Sequence, residues 1–156
     1  MKNPMNKYLL TLVMTGALAL LACGPQFAPQ GRQTASLTAD EYALVEAINA
    51  ARAQFGRKPL PLTNSMITLA RSESAARAAG GGSINALRDQ SGHHDLSYAL
   101  GRARPGDDFG DRLVGYWLED PTLQGLILSD ARRAGIGVTP RRDGLNVAVF
   151  LASDFR

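Results

Sequence analysis

Two adjacent histidines, His93 and His94, lie between Asp89 and Asp95. Imidazole and carboxylate together suit a divalent metal or general acid–base chemistry. Neighbours in sequence rarely converge on one ion unaided, and Asp89 or Asp95 would have to complete the ligand set, so no metal site is assigned. A general base also needs a nucleophile and a third group that orients it. Ser72, Ser74, Ser91 and Ser97 show no nucleophile motif. The plain reading is a pair of loop histidines, solvated or capping a helix with Asp95. Gly80-Gly81-Gly82 follows a helical stretch, precedes no clear strand and has no lysine after it, so it is a loop or hinge and not a phosphate cradle. No cofactor is expected. Trp117 falls on a helical apolar face and reads as core. Arg132-Arg133 and Arg141-Arg142 could face anionic lipid or wall polymer, or serve as solvated surface charge.

The chain's single cysteine, Cys23, excludes an internal disulfide framework and a zinc site built on several thiolates. Its setting gives it another meaning. Lys2 and Lys7 precede an apolar run from Tyr8 to Ala22, 15 residues long and short of the roughly 20 a spanning helix needs. A positive start, a short apolar run and small residues at its end describe a secretory signal. Leu20-Leu21-Ala22-Cys23-Gly24 resembles the bacterial lipobox. The resemblance implies cleavage before Cys23 and diacylglycerol on its sulfur, a stable membrane anchor once several acyl chains are attached. The alternative is a plain secretory signal that happens to contain a cysteine. Residues 1–22 are thus expected to be the signal, 23–37 the lipidated cysteine and a Pro/Gly/Gln-rich tether, and 38–156 the domain.

Loss of Lys2 and Lys7 would leave 15 basic residues against 14 acidic ones. The high isoelectric point then owes much to the signal, and nucleic-acid binding loses its compositional support.

Positioning any site falls to a run of helices and a final hairpin. Thr38-Ala39-Asp40-Glu41 is a capping box. Leu44, Val45, Ile48, Ala51 and Phe55 recur at helical spacing, which predicts an amphipathic helix over 38–55 ended by Gly56. Pro59 and Pro61 force an extended segment. Asn64 is the expected cap of a second helix over 65–79, with Met66, Leu69, Ala70, Ala76 and also Ile67 inward. Residues 83–106 suggest only short helical turns. Asp107 or Asp108 caps a third helix with Phe109, Leu113, Val114 and Trp117 on one face and an Asp108–Arg112 pair. Asp120-Pro121 restarts a short helix that buries Leu123, Leu126 and Ile127. Residues 134–138 and 145–151 are strands joined through Asp143-Gly144 in an antiparallel hairpin. Helices first and a hairpin last make the class α+β.

The order of these pieces resembles the CAP superfamily, which covers cysteine-rich secretory proteins, antigen 5 and pathogenesis-related proteins. Leu44 to Arg52 with Gly56 and Pro59-Leu60 is similar to the family's opening "lvN-x-x-R … G-x-x-P-L". Leu69 to Ala79 matches its alanine-rich helix. Trp117 to Leu128 keeps the Trp, Pro and final Ile-Leu of "W-x-x-S-P-G-H-R-x-x-I-L". Gly135-Ile136-Gly137-Val138 and Val147-Ala148-Val149-Phe150 match its closing strands. The resemblance implies an α-β-α sandwich with a sheet larger than two strands.

It also implies a cleft with two histidines and two acids, and here the chain departs. The histidine of "P-G-H-R" falls on Leu123. The family's "G-E-N" motif has no counterpart, because the stretch from His94 to Trp117 is too short for it. His94, or equally His93, stands where the first cleft histidine occurs. A sound framework with an eroded cleft points to a membrane-tethered, non-catalytic binding or structural module of the cell envelope, with a lipid, peptide or wall component as ligand. The alternatives are a secreted hydrolase or metal-dependent enzyme using His94 and nearby acids, and an envelope lipoprotein of unrelated fold.

Overall fold

The computed structural model describes residues 36–91 and 95–153. Their order is α1 (Ala39–Gln54), α2 (Asn64–Ala78), α3 (Ile84–Ser91), β1 (Leu96–Ala103), α4 (Phe109–Glu119), α5 (Pro121–Ile127), β2 (Arg133–Arg141) and β3 (Gly144–Ala152). The strands form one antiparallel sheet in the order β1-β3-β2. The α+β class and the C-terminal hairpin are as expected.

The central strand explains the layers. Alternate residues of a strand point to opposite faces. Val147, Val149 and Leu151 join a cluster with Leu44 and Ile48 of α1, Leu113 and Trp117 of α4 and Ile127 of α5. Ala148, Phe150 and Ala152 join Met66 and Ala70 of α2. The sheet is therefore covered on both faces, and β3 is apolar almost throughout. Gly135 and Gly137 of β2 face α2: a Cβ on Gly135 would lie 2.0 Å from the Met66 carbonyl, and one on Gly137 2.4 Å from that of Ala70. These glycines let the helix backbone rest directly on the strand.

Four details differ from the sequence expectations. β1 occupies residues read as short helical turns; among the described residues of that stretch only α3 is helical. Tyr98, Leu100 and Arg102 alternate with small residues, so the strand lacks the β-branched signature that would mark it. Thr63, not Asn64, precedes α2, and its side chain makes no cap bond. Phe55 is half exposed, because α1 ends at Gln54 and its inward stripe stops with Ala51 and Arg52. The hairpin strands run further than predicted, through Pro140 to Arg141. Proline is tolerated there because β2 is an edge strand.

The capping box is present: Thr38 Oγ1 accepts from Glu41 N at 3.2 Å, and Glu41 Oε2 accepts from Thr38 N at 2.9 Å. Glu41 is buried and also receives a fork from Arg71, at 2.7 and 2.6 Å. Burial pushes its carboxyl up, but the bonds and charge of Arg71 with the Thr38 bonds outweigh this and hold it below its ordinary 4.5. A carboxylate whose folded pKa is depressed contributes stability above the unfolded value and loses it as pH falls through the folded one. Glu41→Gln is therefore expected to flatten the acid side of the melting-temperature profile below about pH 4.5, as scanning calorimetry at stepped pH would measure. An unchanged acid limb would contradict this.

Candidate functional site

Cys23, His93 and His94 all lie outside the described residues. Asp95 is placed just before β1, and its Oδ2 accepts from Ser153 N at 3.0 Å and Ser153 Oγ at 2.5 Å. Asp89 lies exposed on α3. Ser72 is exposed, whereas Ser74 is buried, donates to the Arg71 carbonyl at 3.0 Å and shares a 2.7 Å bond with Thr139. Trp117 is buried in the core, as expected. Leu123 packs against the same core, so the position matched to the family's second histidine is an apolar contact here. Among the described residues no three His, Cys, Asp or Glu side chains are grouped to hold a metal. The two arginine pairs sit at opposite ends of β2, about 25 Å apart at the strand rise. They do not form one patch, and Arg141 is engaged with Asp143 at 2.9 Å.

A site emerges instead where the C-terminal end of α2 meets the sheet. Arg102 of β1, Asn146 of β3 and Thr139 of β2 stand in register across all three strands. This polar row faces α2, among otherwise apolar neighbours. Thr139 is satisfied by Ser74. Asn146 is 3% exposed, and its Nδ2 has no hydrogen-bond partner among the described residues. It borders a cavity of about 340 Å³ lined by Arg77, Gly80, Gly81, Leu100, Gly101 and Arg102. That volume is at the lower end for small-molecule sites.

Arg77 is aimed by Glu73, one helical turn earlier, whose Oε1 accepts from Arg77 Nε at 2.5 Å. Glu73 is itself buried. Gly82 makes room for this pair: with φ of +102°, a Cβ there would approach Glu73 Oε1 and Arg77 Cγ at 2.9 Å. The glycine run, read as a loop, is thus the cover over an oriented arginine. The carbonyls that end α2 are already bonded, Arg77 O to Gly80 N at 3.1 Å and Ala76 O to Gly81 N at 2.9 Å. The cavity therefore offers two guanidinium groups, which only donate, beside an amide that can donate and accept. Sequence reasoning missed Arg77, Arg102 and Asn146. A lone amide inside the apolar run Leu145 to Phe150 was the available signal, since a polar group in a strand buried on both faces needs a reason.

The framework resembles solved structures closely enough to compare. A cysteine-rich secretory protein from Staphylococcus aureus matches with a TM-score of 0.55 and 18% identity, over 72% of this chain and 38% of that one. An extracellular protein containing a SCP domain, from Bacillus anthracis, matches with a TM-score of 0.54 and 14% identity, over 76% of this chain and 45% of that one. The chain has a CAP-like fold. An outer surface protein from Borrelia burgdorferi also matches, with a TM-score of 0.58 and 15% identity, over 72% of this chain and 92% of that one. The chain thus spans well under half of the staphylococcal protein but corresponds to nearly all of the borrelial one. No family model and no curated protein matches the sequence.

Within this CAP-like domain, the residues that carried the resemblance have structural work. Asn49 Oδ1 accepts from Leu60 N at 2.8 Å and pins the extended proline segment to α1. That segment continues to Leu62, which bridges Ala134 of β2. Arg52 is buried and donates to the carbonyls of Lys58 at 2.7 Å, Ile127 at 2.5 Å and Ser129 at 2.9 Å. Burial lowers its pKa; Asp130 opposes that and Arg57 adds to it. Among the described residues no helix is long and apolar enough to cross a membrane.

Proposed function

We propose that this chain is a lipid-anchored, extracytoplasmic CAP-like module of the cell envelope that binds a ligand without transforming it. The observation that carries the reading is the cavity beside Arg77, Arg102 and Asn146, which is equipped with hydrogen-bond donors held in place by the fold. Such groups recognise and orient. Acyl or glycosyl transfer needs a nucleophile or a working acid beside them. Asp95, the acid nearest the histidines in sequence, is engaged by Ser153. The lipobox-like residues around Cys23 support the anchor. The secretory, outer-surface and extracellular descriptions of the three similar proteins support a place outside the cytoplasm. A lipid, a peptide or a wall component is the ligand class.

Cys23→Ser is expected to move the protein from the membrane pellet to the soluble fraction of its host, because the acyl chains would have no attachment point. Retention of the variant in the membrane would remove the anchor from the proposal. Peptide hydrolysis by the purified protein that disappears in His94→Ala would replace the binding reading with a hydrolase.

A further inference from the structure

We infer that the cavity between the end of α2 and strands β1 and β3 recognises a carboxylate, held by Asn146 Nδ2 and the guanidinium groups of Arg77 and Arg102. The inference rests on the reading of the domain as a binding module and names the chemistry of its ligand.

Three observations converge. First, Asn146 is 97% buried, borders the cavity and keeps a donor with no partner among the described residues. Nδ2 is fully buried, and a buried donor without an acceptor is costly, so turning the amide to bring Nδ2 to an acceptor in the cavity relieves that cost. Second, the neighbouring walls repeat that demand. Arg77 spends only Nε on Glu73, which leaves its two terminal nitrogens without a bond among the described residues. Arg102 makes no ion pair among the described residues and stands directly across from Asn146 in the sheet. Third, the charge selects among acceptors. The Arg77–Glu73 pair is neutral as a unit, so Arg102 leaves the site with a net charge of about one positive. That balance suits a monoanion such as a carboxylate better than a dianionic phosphate. A carboxylate also presents two oxygens in the plane that a guanidinium fork addresses. Leu100 gives the site one apolar wall for whatever carries the carboxylate. Glu73 acts through Arg77 and is a positioning residue.

The carboxylate could end a peptide chain or belong to a small free acid. Titration calorimetry on the full chain in detergent micelles separates these. The probes are N-acetyl-triglycine, its C-terminal amide and acetate. The acid is expected to bind at least about tenfold more tightly than the amide, as a charge-assisted bond requires. Acetate binding as tightly as the peptide acid would point to a free acid, and a clear peptide advantage to a chain terminus. Asn146→Leu should abolish the acid preference while keeping or raising the melting temperature, because it removes the unpaired donor. Arg102→Gln, at an exposed position, should lower affinity about tenfold with the fold intact. Equal binding of acid and amide would overturn the carboxylate assignment yet leave a binding module standing. Absence of binding by all three probes would overturn the assignment too. Hydrolysis of the peptide would instead overturn the module reading.

Discussion

Gly135→Ala is expected to destabilise the domain by more than about 3 kcal/mol, a large fraction of the roughly 5–15 kcal/mol that holds an ordinary domain folded. The new Cβ would sit 2.0 Å from the carbonyl carbon and oxygen of Met66 and 2.4 Å from Ile67 N. Flexible side chains can swing away from such a contact, but these atoms are helix backbone. Relief requires α2 to move outward along its seam with β2. Gly137 meets the same helix one turn later, 2.4 Å from the Ala70 carbonyl and Arg71 N, so a tilt that frees one position does not free the other. Outward movement would also open the cluster of Met66, Ala70, Ala148 and Phe150. The control is Gly125→Ala. Gly125 lies inside α5, where a Cβ meets nothing within 4 Å. There alanine should stabilise by up to about 1 kcal/mol through helix propensity. Urea unfolding of the three proteins gives the comparison, and a Gly135→Ala midpoint equal to that of the parent would sink the argument.

That seam shows what the sequence made legible and what it did not. Gly135-Ile136-Gly137-Val138 read as a strand, yet as a pattern it gave no reason for two glycines in one strand, where they weaken the backbone. The reason is the distance of closest approach of α2, a tertiary fact. α1, α4 and α5 were legible because each carries a local signal: the capping box at Thr38, the apolar face from Phe109 to Trp117, and Asp120 before Pro121, whose Oδ1 accepts from Thr122 N at 2.8 Å. β1 was not, since Leu96, Tyr98 and Leu100 alternate with small residues and none of its residues is β-branched, so pairing with β3 decides its conformation. The site fared similarly. His93 and His94 stand out in the sequence because imidazole is rare and reactive. Arg77, Arg102 and Asn146 are separated by 25 and 44 positions in the chain. Only cross-strand register and the end of α2 bring them to one cavity.

Arg52→Met is the second large effect, at about 3 kcal/mol of lost stability. Methionine keeps an apolar stem of similar length but none of the donors. Three carbonyls, of Lys58, Ile127 and Ser129, lose their partner at once. Each unsatisfied buried carbonyl costs about 1–3 kcal/mol. The Lys58 and Ser129 bonds are only part-buried, so water can recover some of that loss, and relief from burying a cation recovers more. The Ile127 carbonyl sets the remainder, because its bond is fully buried and it lies at the end of α5, where the helix dipole favours positive charge. Arg52→Lys should fall between the parent and Arg52→Met, since one ammonium cannot span three acceptors that a planar fork reaches from one position. The ordering of urea midpoints, parent above Arg52→Lys above Arg52→Met, is the result to look for. Equal midpoints for the lysine and methionine variants would mean that charge and donors at this position contribute little. The N-x-x-R signature would then owe its stabilising effect to Asn49 alone.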